Sequence, residues 1–253
     1  MTDFSTPTHA FEPALVERGT GRPVLVLHGG GGPRTVAGIV ESLAAGAHVL
    51  APTHPGFAGT PRPPECASVA ELAALYAGLL ERRGLWNVLV VGSSMGGWIA
   101  AELALRAPGR LRGLVLVNAV GIVVEGEPVA DVFSLTPRGL AELSWHDPDR
   151  FAIDPATLTP EMREAMAANF RALAVYGGKD MADASLKARL AGVKTPTLVA
   201  WGESDRVATT AYGRAFAAAI PGARFEPIAQ CGHLPQMEQP ARLLELVRAF
   251  DAA

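Results

Sequence analysis

The sequence has few of the residues that mark several common protein classes. Cysteine occurs twice, as Cys66 and Cys231, without CxxC spacing. We therefore expect two reduced thiols and no disulfide. Histidine, cysteine and carboxylate residues form no cluster with metal-ligand spacing, so no metal site is predicted. Basic residues are not in excess: the formal net charge is -3, which argues against a nucleic-acid or anionic-membrane partner.

Long apolar runs are also missing. The most apolar stretch, residues 114–124, is interrupted by Asn118 and Gly121. It is shorter than the ~20 residues that a membrane-spanning helix needs. Residues 1–7 lack the basic start and the apolar stretch of a signal peptide. We therefore expect a soluble cytoplasmic protein whose partner is a small-molecule substrate. The oligomeric state is left open.

The composition is globular, with 49% apolar and 19% charged residues, and short Val- and Leu-rich runs alternate with longer Ala-rich segments of helical spacing. This alternation predicts a parallel sheet with helices on both faces. The predicted strands are Val24–Leu27, His48–Ala51, Asn87–Val91, Gly113–Val117, Thr197–Trp201 and Arg224–Pro227, with an antiparallel pair near Ala14–Arg18. The predicted helices are Val36–Ala44, Val69–Arg83, Met95–Arg106, Thr209–Ala219 and Pro240–Phe250.

The alternation stops between about residues 121 and 189. Pro-started segments occur there, and Thr159-Pro160 is typical of a helix start, with Thr159 as N-cap. A helix is predicted over residues 160–174. Because a structureless connection of this length is uncommon in a compact domain, we predict a helical cap, residues 121–189, inserted in a core domain of residues 1–120 and 190–253. An ordinary long surface connection is the alternative.

The most informative motif is G-S-S-M-G at residues 92–96, which fits G-x-S-x-G between a predicted strand and a predicted helix. In this context Ser94 is a candidate nucleophile in a strained turn, and a Cβ at Gly92 or Gly96 would collide with backbone. The N-terminus of the following helix favours developing negative charge. Ser93 is excluded as nucleophile because it lacks a glycine at both second neighbours.

Four glycines, Gly29–Gly32, follow another predicted strand. Acyl transfer creates an oxyanion that needs backbone N–H donors, and we expect Gly30 and Met95 to form this oxyanion hole. A Walker A loop is excluded because no Lys-Ser/Thr follows, and a dinucleotide-binding G-x-G-x-x-G would need glycine at Thr35. His28 is expected to bond within the loop rather than to titrate in catalysis.

His233 is the best candidate for a general base, because it lies between the last predicted strand and the last predicted helix. The other candidate histidines are in the terminal segment, at the start of a strand, in a loop and in the cap: His9, His48, His54 and His146. Asp205 follows the strand Thr197–Trp201, where it can accept the Nδ1 proton of His233 and fix its tautomer. Glu203 is the nearby rival for this role. The order Ser–Asp–His along the chain is the one expected for such a sheet.

These motifs resemble those of the α/β-hydrolase family over nearly the whole chain. The resemblance is carried by residues 28–32, 52–60, 92–97, 201–205 and 232–233. It implies an eight-stranded, mostly parallel sheet flanked by helices, an inserted helical cap and no cofactor.

Subfamilies are harder to separate. The glycine loop and residues 94–97 are similar to those of the meta-cleavage C–C hydrolases, which often carry Trp after the histidine and Asn before the nucleophile. Here Leu234 and Ser93 occupy those positions. Lipases and esterases with a His-Gly-Gly-Gly loop usually have Asp and Ala around their serine, which also differs. Epoxide hydrolases and haloalkane dehalogenases are disfavoured because their nucleophile is Asp.

We predict a serine hydrolase that cleaves a carboxylic ester of a small or medium, partly apolar substrate through an acyl-enzyme. Some apolar cap residues should line the substrate site, while most hold the cap together; the candidates are Phe133, Trp145, Phe170, Met166 and Tyr176. One alternative is hydrolysis of a C–C bond in a vinylogous diketone, which would need a polar cap group. The arginines available for it are Arg138, Arg150, Arg163 and Arg171. A non-catalytic ligand receptor is the other alternative.

Overall fold

The computed structural model describes residues 11–252. His9 lies outside this range, and so do residues 1–7, on which the predicted absence of a signal peptide rests. The described residues form a seven-stranded sheet of order β1-β3-β2-β4-β5-β6-β7. All neighbouring strands are parallel except β1, which is antiparallel to β3. The strands are β1 (Leu15–Arg18), β2 (Pro23–Leu27), β3 (His48–Pro52), β4 (Val88–Ser93), β5 (Leu111–Val117), β6 (Thr197–Gly202) and β7 (Arg224–Ile228).

Helices cover both faces of the sheet, which confirms the predicted fold class. They are α1 (Ala37–Ala44), α2 (Val69–Arg82), α3 (Met95–Arg106), α4 (Pro137–Ser144), α5 (Pro148–Phe151), α6 (Pro160–Gly177), α7 (Leu186–Arg189), α8 (Thr210–Ala218), α9 (Pro235–Glu238) and α10 (Pro240–Asp251). Short 3₁₀ helices lie at Pro33–Val36, Phe57–Gly59, Pro108–Arg110, Pro155–Thr157 and Leu190–Gly192. Within residues 11–252, no helix combines the length and the apolar character needed to cross a bilayer.

The eight-stranded sheet implied by the family resemblance is wrong for the described residues, which form seven strands. Residues 11–22, the described part of the chain before β2, supply a single strand. Pro13 lies just ahead of β1 and has no N–H to donate to a ladder. Gly19 and Gly21 adopt left-handed φ values of 69° and 118° and turn the chain directly into β2. The antiparallel pairing expected near residues 14–18 is therefore made by β1 with β3.

The central strands are apolar throughout because both of their faces are buried. All six residues of β4 are buried. Val88 and Val90 belong to the cluster that contains the apolar residues of α2 and α3, whereas Leu89 and Val91 belong to the cluster that contains those of α1 and α10. Burial on both faces fixes the register of the strand and hence the position of the loop at its carboxyl end.

Residues 118–196, between β5 and β6, contain α4 to α7 and no further strand of the sheet. The predicted helix over residues 160–174 is α6, and Thr159 Oγ1 accepts a hydrogen bond from Met162 N–H at 3.2 Å, as expected of an N-cap. Gly121 and Ala182 form an isolated parallel bridge, and Asp183 N–H donates to Gly121 O at 2.8 Å. Residue 121, near the start of this insertion, therefore meets residues 182 and 183, towards its end. The assignment of residues 121–189 as a separate cap stays a prediction.

An ion pair joins α3 to the end of the insertion. Arg189 donates to both carboxylate oxygens of Glu102, at 2.8 and 2.6 Å, and to Asp183 at 2.7 Å. The Glu102 side chain is 8% exposed and that of Arg189 is 39% exposed. The buried carboxylate therefore depends on Arg189 for charge compensation.

We expect Arg189→Ala to lower the free energy of unfolding by about 1–3 kcal/mol, because Glu102 is left buried without its ion-pair partner. Because Arg189 is partly exposed, the loss of unfolding free energy should be smaller than for a fully buried ion pair. Urea unfolding measures it, and the loss should shrink when R189A is introduced beside Glu102→Gln. Arg138→Ala, which breaks exposed ion pairs, is the control. Equal losses in R189A and R138A would contradict the interpretation.

Candidate active site

Three side chains that are distant in sequence meet at the carboxyl edge of the sheet. Ser94 Oγ lies 2.9 Å from His233 Nε2, and His233 Nδ1 lies 2.8 Å from Asp205 Oδ2. The three residues follow β4, β7 and β6, and all are buried. A proton can pass from the hydroxyl to the imidazole along this array, while the carboxylate fixes the imidazole tautomer.

Ser94 occupies a strained turn between β4 and α3, with φ 54° and ψ -119°. Such a conformation is costly for a residue with a side chain, and it holds the hydroxyl out at the strand end. A Cβ on Gly92 would lie 2.3 Å from Gly96 O, and one on Gly96 would lie 2.2 Å from Leu27 O. The motif needs its glycines because the backbones touch at these two positions.

The glycine loop lies against the nucleophile. A Cβ on Gly29 would lie 2.9 Å from Ser94 Cβ, and Gly32 N–H donates to Gly29 O at 3.0 Å, which closes a turn. Met95 is the first residue of α3, so its N–H has no acceptor within the helix. Gly30 N–H donates to no acceptor among residues 11–252. Both N–H groups are available to an oxyanion, and their role there stays a prediction.

The Asp205 carboxylate is surrounded by donors. Oδ1 accepts from the N–H groups of Val207 and Ala208 at 2.8 and 3.1 Å. Oδ2 accepts from Asn118 Nδ2 at 2.6 Å as well as from His233. These four donors bind both carboxylate oxygens and hold the carboxylate in place against His233. Glu203, the rival from the sequence, is exposed.

Asn118 is a site residue that the sequence analysis missed. It directly follows β5, is fully buried and has a left-handed φ of 46°. Its side chain donates to Asp205 and accepts from Gly202 N–H at 3.2 Å. The available signal was a polar residue at the end of an apolar strand. We treated it only as an interruption of an apolar run.

A buried pair of histidines supports the start of the glycine loop. His54 N–H donates to His28 Nε2 at 3.0 Å, so His28 carries its proton on Nδ1, which donates to Gly29 O at 2.8 Å. His54 Nε2 donates to His28 O at 2.9 Å, and Tyr76 Oη hydrogen-bonds His54 Nδ1. Burial lowers the pKa of His28 to about 4. The pKa of His54 is well below its ordinary value, mainly because the ring is buried and also because His28 is close to it. His28 thus bonds within the loop, as expected.

A surface cavity of about 420 Å³ opens beside α6. It is lined by Asp131, Phe133, Ser134, Ala174, Gly178 and Lys179. Of the side chains expected to line the substrate site, Phe133 lines this cavity. Phe170 contacts Phe133, with ring centroids 6.4 Å apart, and is 37% exposed.

The other aromatic residues expected at the site have structural contacts. Trp145 is buried and stacks on Phe151, with ring centroids 5.3 Å apart. Its neighbour Ser144 accepts a hydrogen bond from His233 N–H at 2.7 Å, so this segment lies against the histidine loop. Tyr176 is buried and donates to Pro55 O, whereas Met166 is exposed.

The described residues contain no group of three or more His, Cys, Asp or Glu side chains that could hold a metal ion. Cys66 and Cys231 are free and buried. Burial raises the pKa of both thiols. Neither cysteine therefore has the exposed, low-pKa character of a nucleophilic thiolate.

The profile of the alpha/beta hydrolase family matches residues 24–246. The chain belongs to the alpha/beta hydrolase family. Similar proteins include 2-hydroxymuconate semialdehyde hydrolase of Pseudomonas putida, 32% identical over 94% of this chain and 90% of that protein. The 2-hydroxy-6-oxo-2,4-heptadienoate hydrolase of another Pseudomonas putida strain is 30% identical over 96% and 93%. Among solved structures, a thermophilic esterase from Thermogutta terrifontis is 26% identical, with TM-score 0.73 and 94% and 92% coverage.

If Asp205 orients His233, Asn118→Ala should slow the reaction of Ser94 with a fluorophosphonate probe about 10–100-fold. The carboxylate would lose a charge-assisted hydrogen bond worth about 1.5–3 kcal/mol. Intact-mass measurements over time give the rate. Glu203→Gln is the matched control and should react at the wild-type rate. A slow E203Q beside an unchanged N118A would reassign the acid.

Stability should fall as the pH drops from about 6.5 to about 4. In this range the unfolded chain protonates His28 while the folded protein keeps it neutral, so acid favours the unfolded state. Above pH 6.5 His28 is neutral in both the folded and the unfolded state. Its titration makes the free energy of unfolding there about 3 kcal/mol higher than at a pH below 4. Urea unfolding at pH 7 and pH 4.5 should show a smaller acid loss in His28→Gln than in wild type. Identical acid losses would contradict this role.

Proposed function

We propose that the protein is a serine-dependent hydrolase that breaks a carbon–carbon bond beside the ketone or aldehyde carbonyl of a 2-hydroxy-dienoate. The observation that carries this proposal is the Ser94–His233–Asp205 array in a chain 32% and 30% identical, over nearly its full length, to hydrolases of such compounds. The compounds in those two names contain no ester or amide. Their hydrolysis must therefore break a C–C bond next to the carbonyl, and our expectation of an ester substrate takes second place.

In the proposed reaction, Ser94 Oγ attacks the carbonyl carbon while His233 Nε2 takes its proton. The 2.9 Å separation of these atoms is within the range for direct transfer. Asp205 stabilises the imidazolium that forms. The N–H groups of Gly30 and Met95 donate to the oxyanion, and loss of one such donor usually costs about 10²–10³ in rate.

A carbon leaving group adds a requirement that an ester lacks. The electrons of the broken bond must be delocalised, which is possible once the dienol has become a 2-oxo compound by moving its hydroxyl proton to C5. Cleavage between C5 and C6 then leaves a dienolate, and the proton held on His233 is returned to it. Water activated by neutral His233 hydrolyses the acyl–Ser94 ester and restores the hydroxyl, releasing a carboxylic acid.

Two residues beside the array differ from those the meta-cleavage hydrolases often carry. Ser93 Oγ is buried and has no hydrogen-bond partner among residues 11–252, so a polar group is still present before the nucleophile. Leu234 stands where a Trp is frequent and is half-buried. Neither side chain belongs to the proton-transfer array. We expect both to influence which substrate is accepted rather than the type of reaction.

Ester hydrolysis is the second candidate. The same array cleaves esters without further groups, and the similarity to the Thermogutta esterase favours this activity. The arginines considered for a dienoate carboxylate are all exposed: Arg138, Arg150, Arg163 and Arg171. Arg138 and Arg171 are also paired with acidic side chains. Because the array is complete, we do not propose the non-catalytic receptor.

The decisive assay compares a chromogenic 2-hydroxy-6-oxo-hexadienoate with aryl esters of increasing acyl length. We expect kcat/KM for the dienoate, followed by loss of its absorbance, to exceed that for every ester by at least about tenfold, a difference of about 1.4 kcal/mol in transition-state stabilisation. If the esters are hydrolysed while the absorbance of the dienoate stays constant, ester hydrolysis would be favoured.

Ser94→Ala should lose about four or more orders of magnitude of the dominant activity. Ser93→Ala is its neighbouring control, and it should retain turnover because it leaves the array intact. Equal rates in wild type and S94A would exclude a serine mechanism for either substrate.

A further inference from the structure

The glycine run Gly29–Gly32 needs external support if it is to hold an oxyanion donor in place. Glycine has the largest backbone freedom of any residue, and Gly32 here has a left-handed φ of 84°. Oxyanion stabilisation depends on donors that are fixed before the reaction. His28 and His54 support the start of the run. At the far end, Thr35 donates to Gly32 O through its N–H at 3.2 Å and its hydroxyl at 2.7 Å. These bonds are local to the loop, and a further contact reaches Gly31 from outside it.

Asn169 in α6 provides that contact. Its Nδ2 donates to Gly31 O at 3.0 Å, and its Oδ1 accepts from Ala58 N–H at 2.8 Å. Asn169 is buried, with 7% of the residue exposed, and both bonds are partly buried. A Cβ on Gly32 would lie 2.4 Å from Asn169 Nδ2. Glycine is therefore needed at position 32 for the amide to approach the loop.

Ala58, the second partner of Asn169, is itself unusual. It has a left-handed φ of 51°, which a residue with a side chain rarely adopts. It follows the loop that begins at His54, the residue that also bonds His28. The glycine run is thus tied to the 54–58 loop twice, once through His28, which precedes the run, and once through the Asn169 amide, which bonds Gly31.

Other contacts on the same face of α6 are of a different kind. A Cβ on Gly30 would lie 2.7 Å from Leu173 Cδ2, so the isobutyl group fills the space above the proposed donor. Tyr176 Oη donates to Pro55 O at 2.9 Å. Residues 169, 173 and 176 lie on one helix face. Leu173 supplies packing and Tyr176 reaches the neighbouring loop, while Asn169 makes a directional bond to the glycine run.

We propose that Asn169 is a positioning residue for the oxyanion hole. Its amide fixes the Gly31 peptide and, through that peptide, the orientation of Gly30 N–H. This holds only while α6 packs against the glycine run and the 54–58 loop. Reactivity of Ser94 therefore depends on a residue of the insertion that touches neither the nucleophile nor the base. This inference rests on the proposed function in one respect, that Gly30 donates to the oxyanion.

The test is the second-order rate constant for phosphonylation of Ser94 by an alkyl fluorophosphonate, followed by intact mass. This reaction needs no knowledge of the substrate and develops negative charge on the phosphoryl oxygen. Asn169→Ala should react about 10–100-fold more slowly, less than the roughly 10²–10³-fold for removal of an oxyanion donor, because Gly30 N–H is misaligned rather than removed. Asn169→Asp keeps an acceptor for Ala58 N–H but faces Gly31 O with another oxygen. It should be as slow as N169A.

Arg171→Ala is the matched control, since Arg171 is on the same helix and is exposed, and its ion-pair partner within residues 11–252 is the exposed Glu164. It should react at the wild-type rate. Asn169→Ser, which retains a short hydroxyl donor, should lie between wild type and N169A. Urea unfolding of every variant separates slow reaction from loss of fold.

The outcomes are distinct. An unreactive Ser94 in the wild-type protein would overturn the proposed function and this inference together. A reactive wild type with equally reactive N169A, or with N169D restored to the wild-type rate, would overturn the inference alone. Loss of the folded state in all three Asn169 variants would also overturn it, because the residue would then serve general stability.

Discussion

The site depends on how closely backbones approach one another at the carboxyl edge of the sheet. A Cβ on Gly202, at the end of β6, would lie 2.0 Å from Gly232 O, and one on Gly232 would lie 2.3 Å from Ser144 O. The loops that carry Asp205 and His233 can therefore touch because Gly202 lacks a side chain, and the histidine loop can lie against Ser144 because Gly232 lacks one. The glycines flanking Ser94 meet the same condition. These glycines are needed because they let backbone segments approach closely, rather than because they are flexible.

Given this approach, the orientation of the imidazole is set by a buried network rather than by its own loop. Asp205 receives donors from its own turn, from Asn118 at the end of β5 and from His233. Asn118 in turn accepts from Gly202 N–H. The ends of four adjacent strands, β4 to β7, thus contribute to one array. A fully satisfied polar network in a buried environment is rigid, because each lost bond leaves a group unpaired.

Much of the fold and the central array could be predicted because each depends on local pattern. Periodicity locates the strands, and Ser94, Asp205 and His233 each follow a strand at the same edge. Asn169 could not be predicted, since its partners are distant in sequence and it lies in no motif. Asn118 offers a signal only through its place at the end of an apolar strand, and that place does not identify Asp205 as its partner. The eight-stranded sheet came from resemblance alone, and the first strands depend on local features such as Pro13. The choice between ester and C–C cleavage depends on what surrounds the substrate, which no short motif encodes.

Residues near the start and towards the end of the insertion meet at one point, although the parallel strands β5 and β6 join the insertion at opposite edges of the sheet. Gly121 bridges to Ala182, and Asp183 N–H bonds to Gly121 O. Closing so short a gap imposes little constraint on the length of what lies between. The segment between residues 121 and 182 can therefore be exchanged without altering the register of the strands, provided that the replacement still meets the histidine loop and the glycine run. One chemical apparatus can thereby serve successive substrate ranges.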